Sequence, residues 1–179
     1  TYTVDVTGSC GTVTSNNALL TVNPLTSIST QPVITTPCMG QTVSMSVTAS
    51  GTTPLSYQWK YGGVNISGAT AATYSISNAS SSNDGSYLVS VTGGCGSVNS
   101  NAVELAVEAL PTVTANVTTT PVCLGSTTTL SGGGASTYSW NNGVSNSVSF
   151  APAATTTYTV TGTSAAGCTN TASILVPVN

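Results

Sequence analysis

Histidine and arginine are absent from this sequence, and Lys60 is its only basic residue. Charged side chains of both signs make up 3% of the 179 residues, against about 25% in an average soluble protein. The acidic ones are Asp5, Asp84, Glu104 and Glu108, which leaves a net charge of −3. Each shortage excludes something. Without a cluster of Lys or Arg to displace counterions, neither nucleic acid nor an anionic membrane surface is an expected partner. Without histidine a Ser-His-Asp or Cys-His relay cannot be assembled; the many serines lack a base, and no enzyme is expected. No apolar run approaches the roughly 20 residues of a spanning helix, so membrane insertion is not expected. The cysteines show no CxxC spacing to suggest zinc, and no cofactor is expected.

Low charge can also mark disorder, but disordered chains are poor in β-branched and aromatic residues. Here Val, Ile, Thr, Tyr and Trp recur with a period of two, and apolar residues make up 39% of the chain. Alternation of that kind is the signature of strands with one buried face. An all-β protein is expected, with a polar surface built from Ser, Thr, Asn and Gly.

Self-comparison finds one hairpin three times. TYTVDVTGSCGTVTSNNALLTV (1–22), SYLVSVTGGCGSVNSNAVELAV (86–107) and TYTVTGTSAAGCTNTASILVPV (157–178) share Tyr-x-Val, a Gly-rich turn holding a cysteine, and an alternating second strand. A second element occurs twice, TPCMGQTVSMSV (36–47) and TPVCLGSTTTL (120–130), and so does a Trp strand, LSYQWKYGG (55–63) and STYSWNNG (136–143). The order is Cys-Gly strand, Trp strand, Tyr-x-Val hairpin. It runs through twice after a hairpin that has nothing in front of it. With no leader pattern at Thr1 and no sorting tail at Asn179, the sequence reads as a segment of a longer protein.

These residues resemble the immunoglobulin-like sandwich. Trp59 stands where that fold keeps the buried Trp of strand C, and Asn83-Asp84-Gly85-Ser86-Tyr87 resembles the turn into strand F with its tyrosine corner. The inter-sheet disulfide of antibody domains has no counterpart: Val89 takes one position, Val47 or Met45 faces it, and Val4 and Val160 repeat the substitution. Residues 110–179, shorter between Trp and Tyr, are similar to the PKD-like variety. TTTYTV followed by such Gly-Cys turns resembles repeat regions of large Bacteroidota cell-surface or type IX-secreted adhesins and filament proteins. The resemblance implies tandem immunoglobulin-like β-sandwiches arranged end to end. Residues 1–23 are then strands F and G of a preceding module, 24–109 a complete module, and 110–179 a shorter PKD-like or Ig-like module. Trp59, Trp140, Tyr2, Tyr87 and Tyr158 are the expected core markers.

The five cysteines fall into two classes, Cys38 and Cys123 before the first core strand, and Cys10, Cys95 and Cys168 in the turn of the last hairpin. In the topology that the resemblance implies, the two classes lie at opposite ends of one sandwich, about 20 Å apart along a strand. Disulfide Cα atoms lie within about 7 Å, so Cys38 and Cys95 are not expected to pair. A module's chain leaves at the end carrying the first class and enters the next module at the end carrying the second. The resemblance thus implies an inter-module disulfide between Cys38 and Cys168, with Cys10, Cys95 and Cys123 directed to modules outside the segment. The alternative is that all five are free thiols acting as small hydrophobes.

Other candidates have plain structural readings. Glu104 and Glu108 alternate with Val103, Leu105 and Val107, which puts both carboxylates on one solvent face; two carboxylates fall short of the six or more oxygens that calcium requires. Tyr57, Trp59 and Tyr61 share a strand face, which suits a sugar-stacking platform or a core stripe. Asn65, Asn78 and Asn116 open glycosylation sequons in a chain rich enough in Asn and Ser to produce them by chance.

The function expected is a non-catalytic stalk segment of an extracellular or cell-surface adhesin or filament. Its partners would be further copies of the module in the same chain, lateral neighbours joined at poorly charged strand edges, and a glycan or surface ligand. The alternative is a carbohydrate-binding or spacer module of a secreted multidomain polysaccharide-degrading enzyme. Because salt screens only charge, the sedimentation coefficient of the segment should stay constant between low and high ionic strength, as analytical ultracentrifugation would show.

Overall fold

The computed structural model describes Thr1–Asn179 and contains strands, turns and one turn of 3-10 helix, Ser81–Asn83. No helix is long and apolar enough to cross a membrane. The strands are β1 (Asp5–Gly8), β2 (Gly11–Thr14), β3 (Ser27–Thr30), β4 (Val43–Ser46), β5 (Thr48–Ser50), β6 (Ser56–Tyr61), β7 (Val64–Asn65), β8 (Thr73–Ile76) and β9 (Gly85–Gly93). There follow β10 (Gly96–Asn99), β11 (Val103–Leu105), β12 (Thr114–Val117), β13 (Thr128–Gly133), β14 (Thr137–Trp140), β15 (Ser149–Phe150), β16 (Thr156–Thr163) and β17 (Thr169–Val176). They pair as β1-β2, β3-β5, β4-β8, β10-β9-β6-β7 with β11 also on β9, β12-β13-β15 and β14-β16-β17.

Backbone contacts divide the chain into two compact units. The first comprises Thr1–Val33, Met45–Tyr74 and Ser86–Val103. Its organising strand is β9, in which Tyr87, Val89 and Val91 alternate as buried positions. Antiparallel pairing with β6 runs from Ser56↔Thr92 to Tyr61↔Tyr87 and sets Trp59 opposite Val89, both fully withdrawn from water. The indole is amphipathic, so its burial requires a hydrogen-bond acceptor. The Ala71 carbonyl supplies one, 3.0 Å from Trp59 Nε1. Met45 and Val47 are buried too, apolar side chains where antibody domains place one cysteine of their inter-sheet bridge.

The hairpin β1-β2 also lies in this unit, and its residues are exposed throughout. Tyr2 therefore departs from the other core markers: it is 62% exposed, and Val4 63%. The reason is packing. Tyr2, Val4 and Val6 have the alternation of Tyr87, Val89 and Val91, yet no second sheet packs over the β1-β2 ribbon, and their apolar face stays in water. Local bonding nonetheless repeats. The Val4 N–H donates to Ser15 Oγ at 2.9 Å, as the Val89 N–H donates to Ser100 Oγ at 3.0 Å.

The second unit comprises Ile34–Ser44, Ser75–Gly85 and Glu104–Asn179. Two three-stranded sheets, β12-β13-β15 and β14-β16-β17, enclose Val122, Leu130, Trp140, Tyr158, Val160 and Val176. In β16 the pattern again alternates, with Tyr158 and Val160 inward, and β17 follows it in unbroken register from Thr163↔Thr169 to Thr156↔Val176. Trp140 Nε1 donates to Asn146 Oδ1 at 3.0 Å. The Asp84 carboxylate accepts the Val107 N–H at 2.7 Å, tying the turn after the 3-10 helix to the segment that leaves β11.

Leu130 is fully buried and Leu124 is 71% exposed, which makes them a matched pair for testing where stability resides. Leu130→Ala should cost about 2–5 kcal/mol and Leu124→Ala less than about 0.5 kcal/mol, read from urea unfolding midpoints under oxidising conditions.

Candidate functional site

The site is built on a turn. In Pro37-Cys38-Met39-Gly40-Gln41 the Gln41 N–H donates to the Cys38 carbonyl at 3.1 Å, and Gly40 lies at φ +87°. That positive φ at the third turn residue is what glycine supplies without a Cβ penalty. The Gln41 side chain closes the turn from the other side, its Oε1 accepting the Cys38 N–H at 2.9 Å. Cys38 also forms a parallel bridge with Glu108, framed by Met39 N–H to Glu108 O and Glu108 N–H to Pro37 O, both 2.8 Å. The cysteine's backbone is thus held on each side.

Its counterpart sits in the five-residue loop between β16 and β17. The Ser164 N–H donates to the Cys168 carbonyl at 2.8 Å, the Gly167 N–H to the Ser164 carbonyl at 3.0 Å, and the Cys168 N–H to Ser164 Oγ at 3.1 Å. Cys38 and Cys168 are joined by a disulfide with Cα atoms 5.6 Å apart and a sequence separation of 130. Cys168 is buried at 1% exposure, while Cys38 is half-buried. Asn170 Nδ2 donates to the Pro111 carbonyl at 3.1 Å, so the segment leaving Glu108 is also fastened beside the disulfide. A cleft of about 360 Å³ opens here, lined in part by Met39, Gln41, Leu110 and Thr169.

The remaining cysteines form no disulfide: Cys10 and Cys123 are exposed and Cys95 is half-buried. Cys123 nevertheless occupies the same turn as Cys38. The Ser126 N–H donates to the Cys123 carbonyl at 2.9 Å and Gly125 lies at φ +83°. Leu124 N–H to Asn179 O at 2.9 Å and Asn179 N–H to Val122 O at 3.0 Å reproduce the frame around Cys38. Cys10 and Cys95 sit in two-residue turns closed by Gly8↔Gly11 and Gly93↔Gly96.

Of the core markers, Trp59, Trp140, Tyr87 and Tyr158 are buried. Tyr57, Trp59 and Tyr61 do not make a surface platform, because Trp59 is inside and the Tyr61 ring packs on Tyr87 with centroids 5.0 Å apart. Glu104 and Glu108 are exposed, and no three residues of the His, Cys, Asp and Glu types gather as a metal site. The contributions of Gln41, Ser164 and Asn170 carry no sequence signal of their own. Ser126 replaces Gln41 in the second copy of the turn.

Among solved structures the chain is similar to an I-band fragment of titin, with a TM-score of 0.53 at 14% identity over 89% of this chain and 66% of that one. It is also similar to the N-terminal eight Ig domains of Down Syndrome Cell Adhesion Molecule, with a TM-score of 0.53 at 15% identity over 88% of this chain and 25% of that one. At such identities the likeness concerns the fold alone, and the fold is the immunoglobulin-like β-sandwich. No family model matches the chain, and no curated protein matches it in sequence.

Closing a 130-residue loop lowers the entropy of the unfolded chain by an amount worth about 5 kcal/mol. Cys38→Ser should therefore lose up to that much stability in chemical unfolding, and a reducing agent should lower the native protein to the same level. Cys123→Ser should be close to neutral.

Proposed function

We propose that this chain is a non-catalytic structural and interaction segment of a long extracellular repeat protein, a stiff stalk of a surface adhesin or filament. In this reading residues 1–23 are the last hairpin of one module, 24–109 a complete module and 110–179 a shorter PKD-like one. The observation that carries it is the Cys38–Cys168 disulfide: both cysteines lie in the second compact unit, but in this assignment Cys38 belongs to module 24–109 and Cys168 to module 110–179, so that the bond joins one module to the next. Unstapled module junctions permit relative motion; a covalent tie beside a short Pro-containing linker, Ala109-Leu110-Pro111, restrains it. The persistence of a disulfide also suits an oxidising, extracellular setting, and the repeat types fit large surface proteins of Bacteroidota.

The repetition of the Cys38 turn at Cys123 supports the same role for the other cysteines. Cys123 would take the hairpin cysteine of a following module, while Cys10 and Cys95 would pair with early cysteines of preceding ones. Lateral association at strand edges and a glycan or surface ligand are further partners this reading admits. A carbohydrate-binding accessory module is less well supported, since Trp59 is fully buried and unavailable for stacking on a sugar.

Two measurements separate these readings. The complete open reading frame should show further modules with cysteines at both turn positions, and an adjoining hydrolase domain would overturn the stalk. On a glycan array the oxidised segment should give no binding above background, whereas a dose-dependent signal would restore the carbohydrate-binding alternative.

A further inference from the structure

We infer that, with Cys10, Cys95 and Cys123 outside any disulfide as they are in this structure, the Cys38–Cys168 disulfide is a force bypass, set by redox state, that shields most of the chain from tension applied at Thr1 and Asn179. The argument needs only connectivity and strand register. Tension follows the shortest covalent path, which in the oxidised chain runs from Thr1 to Cys38, across the disulfide to Cys168, and on to Asn179. Strands β4 to β16 lie inside the closed loop of 130 residues and carry no load.

The two legs outside the loop differ in what they can yield. The C-terminal leg is almost entirely β17, whose eight residues pair without interruption with β16. A strand already rises about 3.3 Å per residue, close to the limit of roughly 3.3–3.6 Å for a fully extended chain. Drawing it taut adds only a few ångströms. Tension then passes along β17 instead of peeling it away, and Val176 stays in the core. The N-terminal leg is weaker. It holds the exposed hairpin β1-β2 and the four-residue β3, whose pairing to β5 shifts register between Ile28 and Thr30. This leg gives way first.

Reduction removes the bypass. A thiol reductant supplies two electrons and two protons, the S–S bond breaks, Cys38 and Cys168 become thiols, and the reductant becomes a disulfide. The load then runs through the 130 residues of the loop, which can lengthen the chain by roughly 450 Å at about 3.5 Å per residue.

Single-molecule force spectroscopy on the chain tethered at its two ends tests this. Under constant force the oxidised protein should extend only by its N-terminal leg. On adding dithiothreitol it should then lengthen by roughly 450 Å in discrete steps that follow the moment of reduction, as strands shielded until then unfold one group at a time. A single full-length jump at reduction would mean that the loop had already unfolded and was never shielded. No lengthening on reduction would mean that the folded loop bears the load unaided and that the disulfide shields nothing. Either result overturns the inference. The double variant Cys38→Ser/Cys168→Ser should reach the longer length without reductant, a readout that does not depend on how well that variant folds.

Discussion

With one basic and four acidic side chains, this chain has almost no charge with which to stabilise itself, so folding rests on apolar burial along alternating strands and on satisfied backbone bonds. One strand in each sandwich meets that constraint most fully. In β9 the buried residues are Tyr87, Val89 and Val91, and in β16 Tyr158 and Val160. Each strand is flanked by partners on both sides, β6 and β10 for one, β14 and β17 for the other. The flanking strands bring Trp59 and Trp140 into the same cores, and each indole finds an oxygen acceptor. Burying a large apolar side chain contributes about 1.5–3 kcal/mol. No surface ion pair could substitute for that, even if the chain had more than one cation.

Such regularity explains which features are readable from the sequence. A period of two assigns faces, so Trp59, Trp140, Tyr87 and Tyr158 can be recognised as core positions, and the Gly-flanked turns place each cysteine at a particular end of its strand. Periodicity does not say whether a face is covered. Tyr2 and Val4 carry the pattern of Tyr87 and Val89 and remain exposed, because coverage is a property of the opposite sheet. Nor does it choose among equivalent hydroxyls and amides. Gln41, Ser164 and Asn170 hold the backbone at the disulfide and beside it, but nothing in their neighbours sets them apart from the many Ser, Asn and Gln residues around them.

The two Cys turns show how far local structure goes without deciding chemistry. Backbone bonds, glycine conformation and a parallel bridge to a residue beyond the last strand segment are shared between the turns of Cys38 and Cys123. Only Cys38 has a partner thiol at bonding distance. What differs is that the loop between β16 and β17 holds Cys168 beside Cys38, so the bond depends on what lies against the turn rather than on the turn itself.

The closed loop has a consequence for proteolysis. Lys60 is the one basic residue, so trypsin has a single place to cut, and that place lies between Cys38 and Cys168. A nick there severs the polypeptide without parting its halves: the N-terminal piece keeps Cys38, the C-terminal piece keeps Cys168, and the disulfide holds them as one molecule. For a protein exposed to proteases, a backbone that can be cut once and remain continuous is a form of redundancy that neither strand pairing nor packing provides.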